Sequence, residues 1–379
     1  MADSNTHIDS DWLSPPGDTI SDASEERGWT RHELADRLGL DKRKIDRLIE
    51  GEIPLSEDIA FRLERVIGST AAFWLRREAY YREGLERKRR AERLAEWTDW
   101  LDILPVKQLM ECGAILKSRL VEKNKPAIVD GCLRFFGVAS PDEWHRVYGS
   151  NGTTPGRYRR TSTGKSDSGA IAAWLRLGEI QAENWEGPDF DRTCFEEALT
   201  EIRRLTVVSP RTFVHSMRMS LKNAGVVLAF IPAIRGARVS GVARWLSPTR
   251  PLIQISLYGK WNDRFWFTFF HEAAHILLHG NSEKERNAIY LDDLGDGKNS
   301  LESAEEDEAN RWAADFLIPP ESANRLLELK TVDSIEEFSK ELGIHPAVVV
   351  GRLQHEGIVP QNRMNGLKQR LTLMPSSHD

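Results

Sequence analysis

The chain has 379 residues, with 52 lysines and arginines against 58 aspartates and glutamates, and its formal net charge is −6. This length allows two or three domains with separate cores, and the acidic balance excludes a protein that coats nucleic acid through its overall charge. Three cysteines fit neither a disulfide framework nor a CxxC zinc ribbon, and no signal peptide or membrane-spanning apolar run is visible. We therefore expect a cytoplasmic protein without a membrane partner.

The amino-terminal region predicts a mobile arm followed by two short helices. Residues 1–21 have little apolar content and include Ser14-Pro15-Pro16-Gly17, which is typical of an arm. A capping box of Thr30 and Glu33 then opens a helix, and Gly39 makes a turn. The next helix has a basic outer face and three inward apolar residues: Ile45, Leu48 and Ile49.

This order of helix, glycine turn and helix is the geometry of a DNA-binding helix-turn-helix domain, which we place over 22–76. The stretch from about Gly28 to Trp74 resembles XRE-type repressors, in particular the HigA antitoxin group. The resemblance implies that Asp41 caps the recognition helix and that operator DNA is the partner, while half-site geometry predicts a homodimer. It also implies four residues that enter or border the major groove: Lys42, Arg43, Lys44 and Arg47. A helical oligomerisation domain with solvated charges is the alternative.

A charged helical connector is predicted over 77–97, and a mainly helical middle domain over 98–210. The basic run in the connector is typical of the solvated face of a long helix. Within the middle domain, a stretch rich in Gly, Thr and Ser predicts a surface loop. The alternative is a sensor loop that binds single-stranded nucleic acid or a nucleotide as a trigger. Its candidate residues are Arg157, Tyr158, Arg159 and Arg160.

Three short strands are predicted between Ala224 and Leu257, and a helix follows that carries His271-Glu272-Ala273-Ala274-His275. Residues four apart on a helix project from nearly the same side, so the two histidines can share one tetrahedral metal ion. Zn²⁺ is the expected metal, and Glu272 can act as a general base without being a ligand. Asn262 or Asp263 is expected to cap this helix. The pattern indicates a zinc hydrolase.

A catalytic zinc needs a third protein ligand, and the next helix supplies candidates. Glu305 and Glu306 lie equally far to either side of the centre of its apolar stripe, so periodicity leaves both open. The pattern Glu306-x-x-Ala309-Asn310-x-x-Ala313-Ala314 resembles the ImmA/IrrE family of zinc metallo-endopeptidases. That resemblance implies Glu306 as the third ligand. His279 and Asn310, each one turn after a ligand, are candidates for residues that orient the ligands.

Together these patterns predict a multidomain, mainly α protein with a small β-sheet. An all-α helix-turn-helix domain precedes an α+β, zincin-like (gluzincin-type) metallopeptidase domain over 211–330. The segment 331–379 repeats the rhythm of helix, glycine and helix, but its apolar second helix leaves no polar face for base edges. We expect this helical segment to pack against the peptidase. No residue can be assigned to oxyanion stabilisation, although Arg244, Tyr258 and Tyr290 lie nearby in sequence.

The resemblance implies a DNA-binding regulator whose peptidase hydrolyses a protein partner in a response to stress, phage or a mobile element. That partner is a repressor, an antitoxin or the chain itself. The alternative is a non-enzymatic HigA-like antitoxin or repressor that uses the peptidase fold as a ligand-sensing or structural body and has a toxin or repressor partner. The intact Glu272 favours the enzyme.

Overall fold

The structure, a computed structural model, describes residues 13–149, 159–160, 167–183, 185–256, 261–280, 290–293 and 304–371. The chain divides into two compact units, residues 1–98 and residues 99–379. In the part of the chain that is described, no helix is both long enough and apolar enough to cross a membrane. All three cysteines are free.

Helices form the first unit. They are α1 (Pro16–Glu25), α2 (Arg31–Leu38), α3 (Lys42–Ile49), α4 (Glu57–Val66) and α5 (Ala71–Glu96). All five contribute to one apolar core, in which Ile20 and Ile45 have no exposed surface. Thr30 forms the predicted capping box of α2, and the left-handed Gly39 (φ 62°) makes the turn into α3.

Helix α1 shows that the prediction of a mobile arm over 1–21 is wrong for residues 16–21. The helix begins at Pro16, where the missing N–H of proline costs nothing because first-turn N–H groups have no helical partner. Gly17 allows α1 to lie against α3, because a Cβ atom there would be only 1.9 Å from the carbonyl oxygen of Ile49. Pro16 therefore begins a helix, and Gly17 permits its close contact with α3, where the sequence predicts an arm.

One helix also crosses the predicted boundary between the DNA-binding domain and the connector at residues 76 and 77. Helix α5 continues without a break to Glu96. In its basic part, Arg87 pairs with Glu83 at 2.9 Å and Arg89 pairs with Glu86 at 2.7 Å. These exposed pairs within one helix agree with the interpretation of the basic run as a solvated face.

A mixed β-sheet with helices on both faces forms the centre of the second unit. Its helices are α6 (Val106–Glu111), α7 (Lys125–Phe136), α8 (Pro141–Tyr148), α9 (Ser168–Glu183), α10 (Arg192–Arg204), α11 (Pro210–Asn223), α12 (Asn262–Leu278), α13 (Ala304–Leu317), α14 (Pro320–Ala323), α15 (Val332–Leu342) and α16 (Pro346–His355). Its strands are β1 (Arg159–Arg160), β2 (Val227–Ile231), β3 (Val239–Ser247), β4 (Arg250–Ser256) and β5 (Tyr290–Asp293). The strand order is β1-β5-β3-β4-β2. Strand β3 is antiparallel to β4 and β5, whereas β2 is parallel to β4 and β1 is parallel to β5.

Helices α9 and α12 cover opposite faces of this sheet. Trp174 of α9 packs in one core with Val242 of β3, and Phe269 of α12 packs in the other with Ala243. Successive residues of a strand point to opposite faces, which explains this division. The predicted boundaries at 210 and 330 both fall inside this unit. The core under α12 also contains Phe195 of α10 and Val349 of α16, so regions before and after the predicted peptidase domain complete it.

Replacement of Gly17 with alanine should destabilise the first unit, because the new Cβ would overlap the backbone of Ile49. Overpacking of this kind costs about 1–3 kcal/mol, which corresponds to a change of about 5- to 150-fold in a local unfolding equilibrium. Hydrogen exchange at the amides of α3 should accelerate by that factor. Gly366→Ala is the control, because nothing lies within 4 Å of its new Cβ. Unchanged exchange in Gly17→Ala would contradict the close contact between α1 and α3.

Candidate metal centre

Two histidines and a glutamate bring their ligand atoms together where α12 meets α13. The Nε2 atoms of His271 and His275 are 3.1 Å apart. Glu306 places Oε2 at 3.2 Å from Nε2 of His271 and Oε1 at 3.6 Å from Nε2 of His275. All three residues are buried. Ligands about 2.0 Å from a tetrahedral zinc lie about 3.3 Å from one another, so these three side chains fit a single metal ion.

Local sequence explains why these atoms converge. The spacing of four residues puts the two histidines one turn apart on α12, with their rings 4.7 Å apart. Glu306 lies in the first turn of α13. Ala309 and Ala313 follow it on the same helix and have no exposed surface. Their small side chains let α13 approach α12 closely, and this approach carries the glutamate to the histidines.

The protonation states of the cluster suit a metal. Burial lowers the pKa of His275 to about 4, so its imidazole is neutral at pH 7. Burial raises the pKa of Glu306, but hydrogen bonds to His271 and His275 and their charges outweigh this effect and bring the pKa to about 2. Neutral imidazole and ionised carboxylate are the forms in which these side chains bind metal ions.

Glu272 follows His271 directly on α12 and has no exposed surface. Its carboxylate lies against the backbone of β3. A Cβ atom built at Gly241 would be 2.6 Å from Oε1 of Glu272. The predicted general base is therefore next to the ligand pair along the helix and in contact with the sheet.

His279 extends the row of histidines on the other side of His275. Its Nδ1 is 3.1 Å from Nδ1 of His275, and its Nε2 is 3.2 Å from Oε2 of Glu308. Because His275 directs its other nitrogen, Nε2, toward the ligand cluster, His279 is placed to orient that ring. Sequence reasoning assigned Glu308 no role. The sequence does contain a signal for it. A histidine that orients a metal ligand commonly pairs with a carboxylate, and the first turns of α13 contain several acidic residues.

Other predicted residues near the centre have different surroundings. Asn310 is half-buried one turn after Glu306, and no hydrogen bond within the described ranges joins it to a ligand. Arg244 donates to Oε1 of Glu179 at 2.8 Å and to the carbonyl oxygen of Leu175 at 2.7 Å. Arg244 therefore faces α9, on the opposite side of β3 from Glu272, and does not stabilise an oxyanion at the metal centre. Tyr258 lies outside the described residues, as does the side chain of Tyr290.

The start of α12 differs from the predicted capping. The N-cap residue is Trp261, and no side chain caps the helix. Asn262 instead accepts a hydrogen bond from the backbone N–H of Gln369 at 3.0 Å, and Asp263 forms an ion pair with Lys368. The two polar residues therefore connect α12 to the carboxyl-terminal segment.

The four basic residues predicted to bind DNA all lie on α3 and are exposed: Lys42, Arg43, Lys44 and Arg47. The buried residues of α3 are those predicted to face inward: Ile45, Leu48 and Ile49. The side chain of Asp41 accepts the N–H of Lys44 at 2.8 Å and so caps the helix. Arg47 forms an ion pair with Glu52 at 3.1 Å. Arg43 lies on the same exposed face of α3.

The predicted sensor loop is only partly covered by the structure. Arg157 and Tyr158 lie outside the described residues. Arg159 and Arg160 form β1, whose backbone pairs with β5 at Tyr290 and Leu291. Ligand binding by this loop stays a prediction.

Comparisons with protein families agree with the geometry of both units. Residues 231–354 match the family model described as IrrE N-terminal-like domain (Peptidase M78), and residues 22–74 match the model described as Helix-turn-helix. The chain fuses a helix-turn-helix domain to an IrrE-like domain. These matches confirm the predicted fusion of an XRE-type helix-turn-helix domain with an IrrE-like domain, and the structure has the predicted mainly helical architecture with a small sheet. A search of curated proteins found no match to the chain.

The two adjacent glutamates of the IrrE-like domain can be distinguished by zinc affinity. Glu306→Gln should lower the affinity by more than about 100-fold, because loss of a residue that only orients a ligand already costs about 10- to 100-fold. Glu305→Gln is the matched control and should leave the affinity nearly unchanged, because Glu305 is not part of the buried cluster. Competition with a chromophoric zinc chelator measures both constants. The reverse order would move the third ligand to Glu305.

Proposed function

We propose that this chain is a DNA-binding transcription regulator whose IrrE-like domain is a zinc-dependent endopeptidase. The observation that carries the proposal is the convergence of His271, His275 and Glu306 in one buried cluster beside Glu272. The match to a peptidase family supports a metallopeptidase-like domain, and the helix-turn-helix domain supports DNA binding.

In the proposed reaction, His271, His275 and Glu306 would hold the Zn²⁺ ion. When bound there, zinc supplies a Lewis acid that polarises the scissile carbonyl group and makes water more acidic. Glu272 takes a proton from the attacking water onto its carboxylate and returns it to the leaving amine. His279, backed by Glu308, holds the ring of His275 in place. The peptide bond is thus hydrolysed with no covalent intermediate on the protein.

Glu272→Gln should keep one zinc per chain and lower peptide hydrolysis by about 10²- to 10⁴-fold, because it removes the general base and leaves every ligand in place. His275→Ala should lose both zinc and hydrolysis. Metal analysis and cleavage of an internally quenched peptide, selected from a randomised library with the wild-type protein, measure the two properties. Hydrolysis by Glu272→Gln at the wild-type rate would mean that Glu272 is not the base. The peptide assay is run without and with single-stranded DNA, because the activity is expected to be latent. A zinc-binding wild-type protein that stays inactive under both conditions would instead favour a non-enzymatic antitoxin or repressor.

The DNA-binding part of the proposal rests on the exposed basic face of α3. Lys42, Arg43, Lys44 and Arg47 would enter or border the major groove of the operator, and a homodimer would read two half-sites. Arg43 is the better position to test, because a substitution of Arg47 would also remove its ion pair with Glu52. We expect the operator to lie near the promoter of the chain's own gene.

Arg43→Glu should weaken binding to a duplex from that promoter by at least about tenfold and leave the zinc content unchanged, because the two units have separate cores. Wild-type binding should fall steeply with salt. The matched control is Arg89→Glu, which makes the same charge reversal at an exposed position of α5. Equal losses in the two variants would show a general charge effect and would contradict recognition by α3.

The proposed substrate is a protein: a repressor, an antitoxin or the chain itself. We expect the activity to be latent and released by a signal, because an unregulated peptidase on a DNA-bound regulator would destroy its target continually. Single-stranded nucleic acid or a nucleotide at the loop of Arg157, Tyr158, Arg159 and Arg160 is the proposed trigger.

A further inference from the structure

Strand β3 comes very close to α12 at Gly241. A Cβ atom at this position would lie 2.6 Å from Oε1 and 2.9 Å from Cγ of Glu272, and 2.7 Å from Cγ2 of Thr268. Carbon and oxygen atoms that are not bonded prefer separations of roughly 3.5 Å. Any side chain at residue 241 would therefore displace Glu272, Thr268 or the strand.

Lack of space, rather than backbone conformation, explains the glycine. Among the residues that the structure describes, ten glycines have a positive φ, and Gly241 is not one of them. An L-residue can adopt the extended conformation of a strand without strain. Glycine in a strand commonly marks a point where another group approaches closely. At Gly241 that group is the carboxylate of Glu272.

The strand is fixed at this point from two directions. On its hydrogen-bonded edges, Gly241 pairs with Ile255 of β4 and with Asp292 of β5, and the register with β5 shifts between Val239 and Gly241. The register shift interrupts the regular pairing of β3 with β5 next to Gly241. On the face away from α12, Arg244 is held by α9 through two hydrogen bonds. A methyl group added to Gly241 would therefore move Glu272 more easily than it would move β3.

We propose that Gly241 is a positioning residue for Glu272. By lacking a side chain, it leaves room for the carboxylate between α12 and β3 and limits the directions in which that carboxylate can turn. The catalytic consequence rests on the proposed function of Glu272 as general base. The contact itself can be tested without any catalytic activity.

The first test compares stability in two backgrounds of the zinc-loaded, full-length protein. Gly241→Ala should lower the urea midpoint of unfolding in the wild-type protein. In a Glu272→Ala background the same substitution should lower it less, because the new methyl group occupies the space that the carboxylate has left and only the overlap with Cγ2 of Thr268 remains. Equal shifts in the two backgrounds would overturn the inference. Gly366→Ala is the control for the glycine substitution itself and should shift neither midpoint, since its Cβ meets nothing within 4 Å.

The second test measures zinc content and hydrolysis of the library-selected quenched peptide. Gly241→Ala should keep the metal and lower kcat by about 100-fold with little change in KM, because a general base displaced by about 1 Å loses its geometry while substrate binding is retained. Thr268→Ser removes the methyl group that crowds the new Cβ and should restore part of kcat in the double variant. A merely structural role for Gly241 would instead change kcat and KM together.

Several outcomes separate this inference from the proposed function. Wild-type kcat in Gly241→Ala, or loss of its zinc, would overturn the positioning role even if the chain is a peptidase. Failure of the wild-type protein to hydrolyse any peptide in the library, both without and with single-stranded DNA, would contradict the proposed function. In that case only the urea midpoints test the contact between Gly241 and Glu272. A larger shift in the wild-type background than in the Glu272→Ala background supports the contact, and equal shifts overturn it.

Discussion

The second unit depends on the burial of two imidazoles and a carboxylate between α12 and α13. Burial of a charged carboxylate in an apolar core is costly unless an opposite charge or hydrogen bonds compensate for it. Burial lowers the pKa of His275 to about 4, whereas hydrogen bonds from His271 and His275 outweigh the effect of burial on Glu306 and bring its pKa to about 2. A divalent cation at the converging nitrogen and oxygen atoms would offset the buried negative charge. Neutral imidazole and ionised carboxylate are the forms that bind metal ions, so these pKa directions agree with a metal site.

Strand β3 connects this centre to the rest of the unit. One face of the strand lies against Glu272, and the other is tied by Arg244 to Glu179 and Leu175 of α9. The family match begins at residue 231, the last residue of β2, yet α9, α10 and α11 all contribute to the layers around the sheet. The structural unit that supports the candidate metal centre is thus larger than the matched segment. Helices of the predicted middle domain are part of its scaffold.

Sequence alone predicts the features that depend on a single helix and not on how two helices pack together. The spacing of His271 and His275 places them one turn apart whatever surrounds them, and the apolar period of α3 fixes which face carries Arg43. The choice between Glu305 and Glu306 is different, because it depends on the rotation of α13 against α12. Periodicity left that rotation open, and only the family resemblance indicated Glu306. The structure brings Glu306 to the two histidines.

The sequence could not distinguish glycines that permit a turn from glycines that permit a contact. Gly39 has a positive φ and makes a turn that its neighbours already indicate. Gly17 and Gly241 instead owe their identity to partners far away in the chain, the backbone of Ile49 and the carboxylate of Glu272. The residues next to a glycine in sequence do not indicate which distant element it contacts. The sequence therefore predicts an arm at Gly17 and no role for Gly241. In both cases the missing side chain is explained by the space that a second element occupies, and this can be known only once the two elements are packed together.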